Sequence, residues 1–257
     1  MSDGVILDAP HTLQPYPQHL KAQLMRNPPC PAHTPGKPTQ GVVVLSGENR
    51  WRSSSLVKHY WNRSVHLQPD PTLNVNLDNL DLPSVASNRA LATMLDFIRK
   101  QHGWWTVLED DAVLLPGCNY SALPTPLPSS CWYISMDERG YTHAPTQALN
   151  EYYAESTSDA GLGTAGFFIH ARAAQHYLAK WRHNVTKPFD LLIHQSNMED
   201  PAARGRICFM RNAGPRVVHD GRASASKRRQ AEAEALEKGK AQRRGHVPEQ
   251  PKAFVFG

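Results

Sequence analysis

Two short runs that are β-branched or aromatic almost throughout, Gly41-Val-Val-Val-Leu45 and Trp104-Trp-Thr-Val-Leu108, constrain this chain more than any other feature. A strand with one wet face alternates polar and apolar residues. A run without alternation belongs to a strand covered on both faces, as in a sheet sandwiched between layers. Between the runs, Leu91, Met94, Leu95 and Ile98 recur at helical spacing over residues 84–100, with Ser84 or Ser87 available as the N-cap. Leu56, Val57, Tyr60 and Trp61 share one side of a shorter helix over residues 53–61. The order strand, helix, helix, strand predicts neighbouring parallel strands with helices packed on the sheet. Further strands are expected at 132–136, 166–170, 207–210 and 216–219, and helices at 171–181 and from Phe189 to Gln195. Residues 145–163 are polar and read as a mobile loop. The class is α/β: a mixed, mostly parallel sheet flanked by helices, in one domain.

The chain's 257 residues suffice for one such domain with a sizeable core. Residues 1–40 are Pro-rich and read as an extended arm, 41–221 as the folded domain, and 222–257 as a basic tail. Of the 28 Lys/Arg and 23 Asp/Glu, eight basic and three acidic residues fall between Arg222 and His246, leaving a balanced body. A nucleic acid is therefore a partner to consider only through the tail, for instance Lys227, Arg228 and Arg229 on phosphates. The four cysteines make no zinc-like spacing; Cys118 and Cys131 could pair only in an oxidising compartment. No signal peptide or membrane span is visible, so a cytoplasmic location is expected, with the Asn-x-Ser/Thr triplets at Asn62, Asn119 and Asn184 accidental.

Directly after the second apolar run stand three carboxylates, Glu109-Asp110-Asp111. In α/β sheets ligands bind beyond the carboxyl ends of the strands. Three adjacent negative charges repel, and burying them alone is costly. A divalent cation relieves both problems, and Mg²⁺ or Mn²⁺ takes oxygen ligands from one or two carboxylates together with phosphate oxygens. Side-chain alternation puts Glu109 and Asp111 on one face and Asp110 on the other. An acidic turn exposed at a strand end is the alternative.

The order of motifs resembles glycosyltransferase family 25, the lipooligosaccharide and procollagen galactosyltransferase group of the GT-A superfamily. The resemblance is carried by Gly41-Val-Val-Val-Leu45 with Arg50 and Arg52, by the helix with Ser87-Asn-Arg-Ala, and by Val107-Leu-Glu-Asp-Asp-Ala112. Gly163-Thr-Ala-Gly-Phe-Phe-Ile-His170, Lys187-Pro-Phe-Asp190 and Pro215-Arg-Val-Val-His219 with Ser224 continue it. Two departures stand out: Ser87-Asn88 where the family has Ser-His, and Leu45-Ser46-Gly47 where it has Asn-Leu-Asp.

The resemblance implies a GT-A, Rossmann-like fold and an inverting hexosyl transfer. It implies a nucleotide-diphosphate sugar donor, UDP-linked in type, with Mn²⁺ or Mg²⁺, and a glycan or protein hydroxyl as acceptor. On this reading Glu109, Asp111 and His219 hold the metal. Ser46, Arg50, Arg52, Ser87, Asp110 and Gly163 line the donor. Asp190 is the candidate base for the acceptor proton, or else a helix cap; Glu155 and Asp159 are weaker candidates. Rival readings are a transferase acting on modified DNA bases and a degenerate, non-catalytic nucleotide-sugar-binding protein. A phosphoryl-transfer enzyme would want a GxxxxGK[ST] loop, and the sequence has none.

Overall fold

The computed structural model describes residues 30, 36–46, 64–67, 82–110, 112–115, 118–137, 146–156, 163–181, 189–211, 213–219 and 252–256. Among these, the strands in chain order are β1 (Gly36–Pro38), β2 (Val42–Ser46), β3 (Ser64–Leu67), β4 (Trp104–Glu109), β5 (Ala112–Leu114), β6 (Ala122–Pro124), β7 (Tyr133–Ser135), β8 (Thr146–Ala148), β9 (Tyr153–Ser156), β10 (Gly166–His170), β11 (Ile207–Met210), β12 (Val217–His219) and β13 (Lys252–Phe256). The helices are α1 (Leu82–Arg99), α2 (Ala171–Trp181) and α3 (Phe189–Glu199). The helix expected at 53–61 lies outside the described residues.

Nine strands form one sheet in the order β3-β13-β2-β4-β10-β7-β11-β9-β8. The two apolar runs pair in parallel as expected, Val43 opposite Val107 and Leu45 opposite Glu109. β7 and β11 are the other parallel pair. All other neighbours run antiparallel, which corrects the expectation of a mostly parallel sheet. The reason is where the chain re-enters. It comes into β10 from the edge at which β4 and β7 end, so β10 must run back between them. β13 inserts between β2 and β3 in the same reversed sense.

Alternation along the buried strands divides the core in two. Val43, Leu45, Trp105, Val107, Phe167 and Ile169 face one layer, where Leu91, Met94, Leu95 and Ile98 of α1 and Ala173, Ala174 and Tyr177 of α2 cover them. Val42, Val44, Leu108, Ile134 and Phe168 face the other. No described helix contributes to that second layer; Leu114, Leu123, Val217 and Val218 of two ribbons, β5–β12 and β1–β6, do so instead.

Three further expectations are corrected. The polar stretch read as a mobile loop contains a hairpin, β8–β9. It turns at Asn150, whose Oδ1 accepts the amide protons of Tyr152 and Tyr153. The cysteines are not free, and Cys118 does not pair with Cys131. The bridges are Cys30–Cys118 and Cys131–Cys208, all four sulfurs in the ribbon-covered layer. Such bridges persist in oxidising compartments. Finally, Lys252–Phe256, within the range read as a tail, is a strand of the main sheet. The basic stretch from Arg222 to His246 lies outside the described residues. No described helix is long and apolar enough to cross a membrane.

Candidate functional site

The topology brings the carboxyl ends of β2, β4 and β7 to one edge, together with the start of β10. Ser46 ends β2 beside Glu109, which ends β4, and the Asp110 amide donates to the Leu45 carbonyl at 2.9 Å. Glu109 and Asp110 are both half-buried. Gly163 enters this edge with φ of 61°, a left-handed conformation that glycine adopts at little cost. The next two residues then grip β4. The Thr164 hydroxyl donates to Glu109 Oε1 at 2.6 Å, and the Glu109 amide donates to the Ala165 carbonyl at 2.9 Å.

A second acid stands at the same edge. Asp137 follows β7 and is only 1% exposed. Its Oδ2 accepts the Ala165 amide proton at 3.3 Å. Its own amide donates to Ser135 Oγ at 3.2 Å, and its backbone bridges to Val217 at the start of β12. The sequence reading missed Asp137 and Thr164. Asp137 carried much the same signal as Glu109, a carboxylate at the end of a largely apolar run, but its acidic run is only Asp137-Glu138 and is followed at once by Arg139.

The β5–β12 ribbon closes the site. In its register His219 lies opposite Ala112, the residue after Asp111. The backbone thus places His219 beside the acidic segment, 107 positions away in sequence from its partner. The ribbon can lie close because Gly166 has no side chain: a Cβ there would come within 3.0 Å of Val217 and 3.1 Å of Leu108. Buried Tyr120 pins its far end, its hydroxyl accepting the Leu115 amide proton at 2.7 Å and donating to the Arg216 carbonyl at 2.5 Å. The Cys30–Cys118 bridge anchors the loop that carries this tyrosine.

Ser87 is on α1. α1 returns into β4 through only four residues, so the two run antiparallel. Ser87 lies twelve residues before Arg99, about 18 Å at helical rise, close to the length of β4. Asp190 is in the first turn of α3. Arg50, Arg52, Asp111 and Asp159 lie outside the described residues. Glu155 is on β9, three strands away from β10, where it faces Cys208 and Gln147 and lies towards the end of the sheet opposite the carboxylates.

Carboxylate oxygens are hard donors suited to Mg²⁺, Mn²⁺ or Ca²⁺. Glu109, oriented by Thr164, therefore fits a cation. Among the described residues no three His, Cys, Asp or Glu side chains already cluster as a metal site.

No protein-family model matches the chain, and no curated protein does. Among solved structures it is similar to a glycosyltransferase involved in the glycosylation of the major capsid of PBCV-1, at 13% identity, with 76% of this chain and 99% of that chain covered and a TM-score of 0.41. A likeness this loose leaves substrate and chemistry to be read from the site itself.

Proposed function

We propose that the chain is a metal-dependent glycosyltransferase that moves a sugar from a nucleotide-diphosphate sugar, UDP-linked in type, to a hydroxyl on a glycan or protein. The observation that carries this reading is convergence. Supporting it are Ser46 at the end of β2 next to Glu109 and Asp110 at the end of β4, the segment after Gly163 bonded to Glu109, and His219 in register opposite Ala112. Glu109, with Asp111 and His219, would hold the cation. When bound, Mn²⁺ or Mg²⁺ would neutralise charge on the departing diphosphate.

The chain's own groups do the rest. Glu109 is fixed in orientation by Thr164. The left-handed Gly163 lets backbone approach a ligand without a Cβ in the way. Ser46 and Ser87 supply hydroxyls for the nucleotide, and Arg50 and Arg52 forks for its phosphates or ribose. Asp190 would take the acceptor proton in an inverting transfer. The membership in family 25 suggested by the motifs belongs to this reading and is tested with it.

A thermal-shift screen of nucleotide sugars with and without Mn²⁺ tests the proposal. A UDP-sugar should raise the midpoint only with metal present, and Asp111→Asn should abolish the shift while leaving the unliganded midpoint within about 2 °C. Stabilisation by no nucleotide sugar, with or without metal, would end the transferase reading.

A further inference from the structure

We infer that Asp137 is a positioning residue for this site: its buried carboxylate sets the Thr164–Ala165 segment, and through it the orientation of Glu109. The inference rests on the reading that Glu109 serves a metal. Burying a carboxylate is costly, so its location calls for a reason. At 1% exposure Asp137 is out of reach of a bulky substrate. It is, however, in direct contact with the segment that grips Glu109.

The links are consecutive, the first of them a 3.3 Å contact. Asp137 Oδ2 holds the Ala165 amide. The Ala165 carbonyl holds the Glu109 amide, and the Thr164 hydroxyl holds Glu109 Oε1. Asp137 is itself set by three strands: the Met136 amide donates to Gly166, the Val217 amide to Met136, and the Asp137 amide to Ser135 Oγ. Residues 164 and 165 are thus held between two acids at the ends of the two strands that flank β10. Without the Asp137 oxygen, the Ala165 amide loses this acceptor and the hydroxyl of Thr164 loses its fixed aim. The penalty falls on whatever needs Glu109 in one orientation. Residues that orient a metal's ligands typically cost ten- to a hundredfold in affinity when removed.

Charge and hydrogen bonding are separable here, because an asparagine at 137 keeps an acceptor oxygen and loses the charge. The experiment titrates Mn²⁺ alone, by the EPR signal of the free ion, into the wild-type chain, Asp137→Ala, Asp137→Asn and Thr164→Val. In parallel, amide hydrogen exchange at Ala165 is followed by NMR. Asp137→Ala should weaken Mn²⁺ binding about tenfold or more and speed exchange at Ala165, whereas Asp137→Asn stays within about threefold of wild type in both. Thr164→Val should weaken Mn²⁺ comparably, and adding Asp137→Ala to it should cost little more, since both cut one chain of contacts.

Unchanged Mn²⁺ affinity in Asp137→Ala overturns the inference. So does an Asp137→Asn variant that protects Ala165 yet loses the metal, which would make charge the active property. If Asp137→Ala fails to fold, the Asn and Thr164 variants decide by the same criteria. A wild-type chain that binds no Mn²⁺ sinks the metal reading and the inference together; a wild-type chain that binds, with indifferent variants, sinks the inference alone.

Discussion

Asp200, away from the site, shows how single side chains tie the helical layer together. It lies just past α3 and accepts from His176 Nε2 at 2.7 Å and from Lys180 Nζ at 2.8 Å, both on α2, and from the Ala202 amide at 3.0 Å. Burial pushes its carboxyl up, but the hydrogen bonds from Lys180, His176 and Ala202 and the Lys180 charge outweigh it and bring it down from 3.8 to about 2. The folded form therefore binds this proton less readily than the unfolded chain. The resulting stability is present above pH ~4 and is lost as pH falls towards ~2. Asp200→Asn should lower stability at neutral pH by on the order of 1–2 kcal/mol and flatten the acid limb of the stability curve, measured by urea unfolding from pH 7 to pH 2. An unchanged acid limb would show that these partners contribute nothing net. The same scale explains one sequence-level success and one failure. Glu109 was legible because three acids stand in a row. Asp137 begins only a pair, Asp137-Glu138, and its burial is what sets it apart.

At the scale of elements, the ribbon β5–β12 decides whether a site exists. Its strands are three residues each, too short to be stable alone, and they hold because they lie on the sheet. Gly166 makes that contact close enough. Gly166→Ala should destabilise the protein by about 1–3 kcal/mol, the range for overpacking a well-filled core. Val217→Ala should recover much of the loss in the double variant, read by urea midpoints. Additive losses would show that the steric account is wrong. The longer elements were readable beforehand because local pattern suffices for them. Four apolar residues at helical spacing define α1, and unbroken β-branched and aromatic runs define β2, β4 and β10. β5, β6, β12 and the β8–β9 hairpin carry too few residues to display a period, so β5, β6 and the hairpin escaped notice.

At the scale of the whole molecule, the two bridges span 88 and 77 residues and tie the ribbon-covered layer to itself. Long-range bridges act largely by restricting the unfolded chain, and removing one typically costs about 2–5 kcal/mol. Cys131→Ala with Cys208→Ala should therefore lower stability by that order, and Cys30→Ala with Cys118→Ala likewise, each compared with the oxidised wild type by denaturant unfolding. Wild-type stability indifferent to reductant would show that the bridges do not form in solution. β13 adds a second long-range constraint. It starts with Lys252 opposite Ser46, at the edge where the site lies, and β12 ends there at His219. Both ends of the stretch between them are thus fixed at the mouth of the site.

Sequence alone determined what depends on near neighbours: the α/β class, the main strands and helices, and the acidic segment placed after a buried strand. Pairing is a matter of distant partners, and no local pattern encodes it. Only the tertiary structure decided that most sheet neighbours run antiparallel, which cysteines join, and that the chain's last strand sits inside the sheet. The same holds for Asp137, whose meaning comes from a backbone amide 28 residues away.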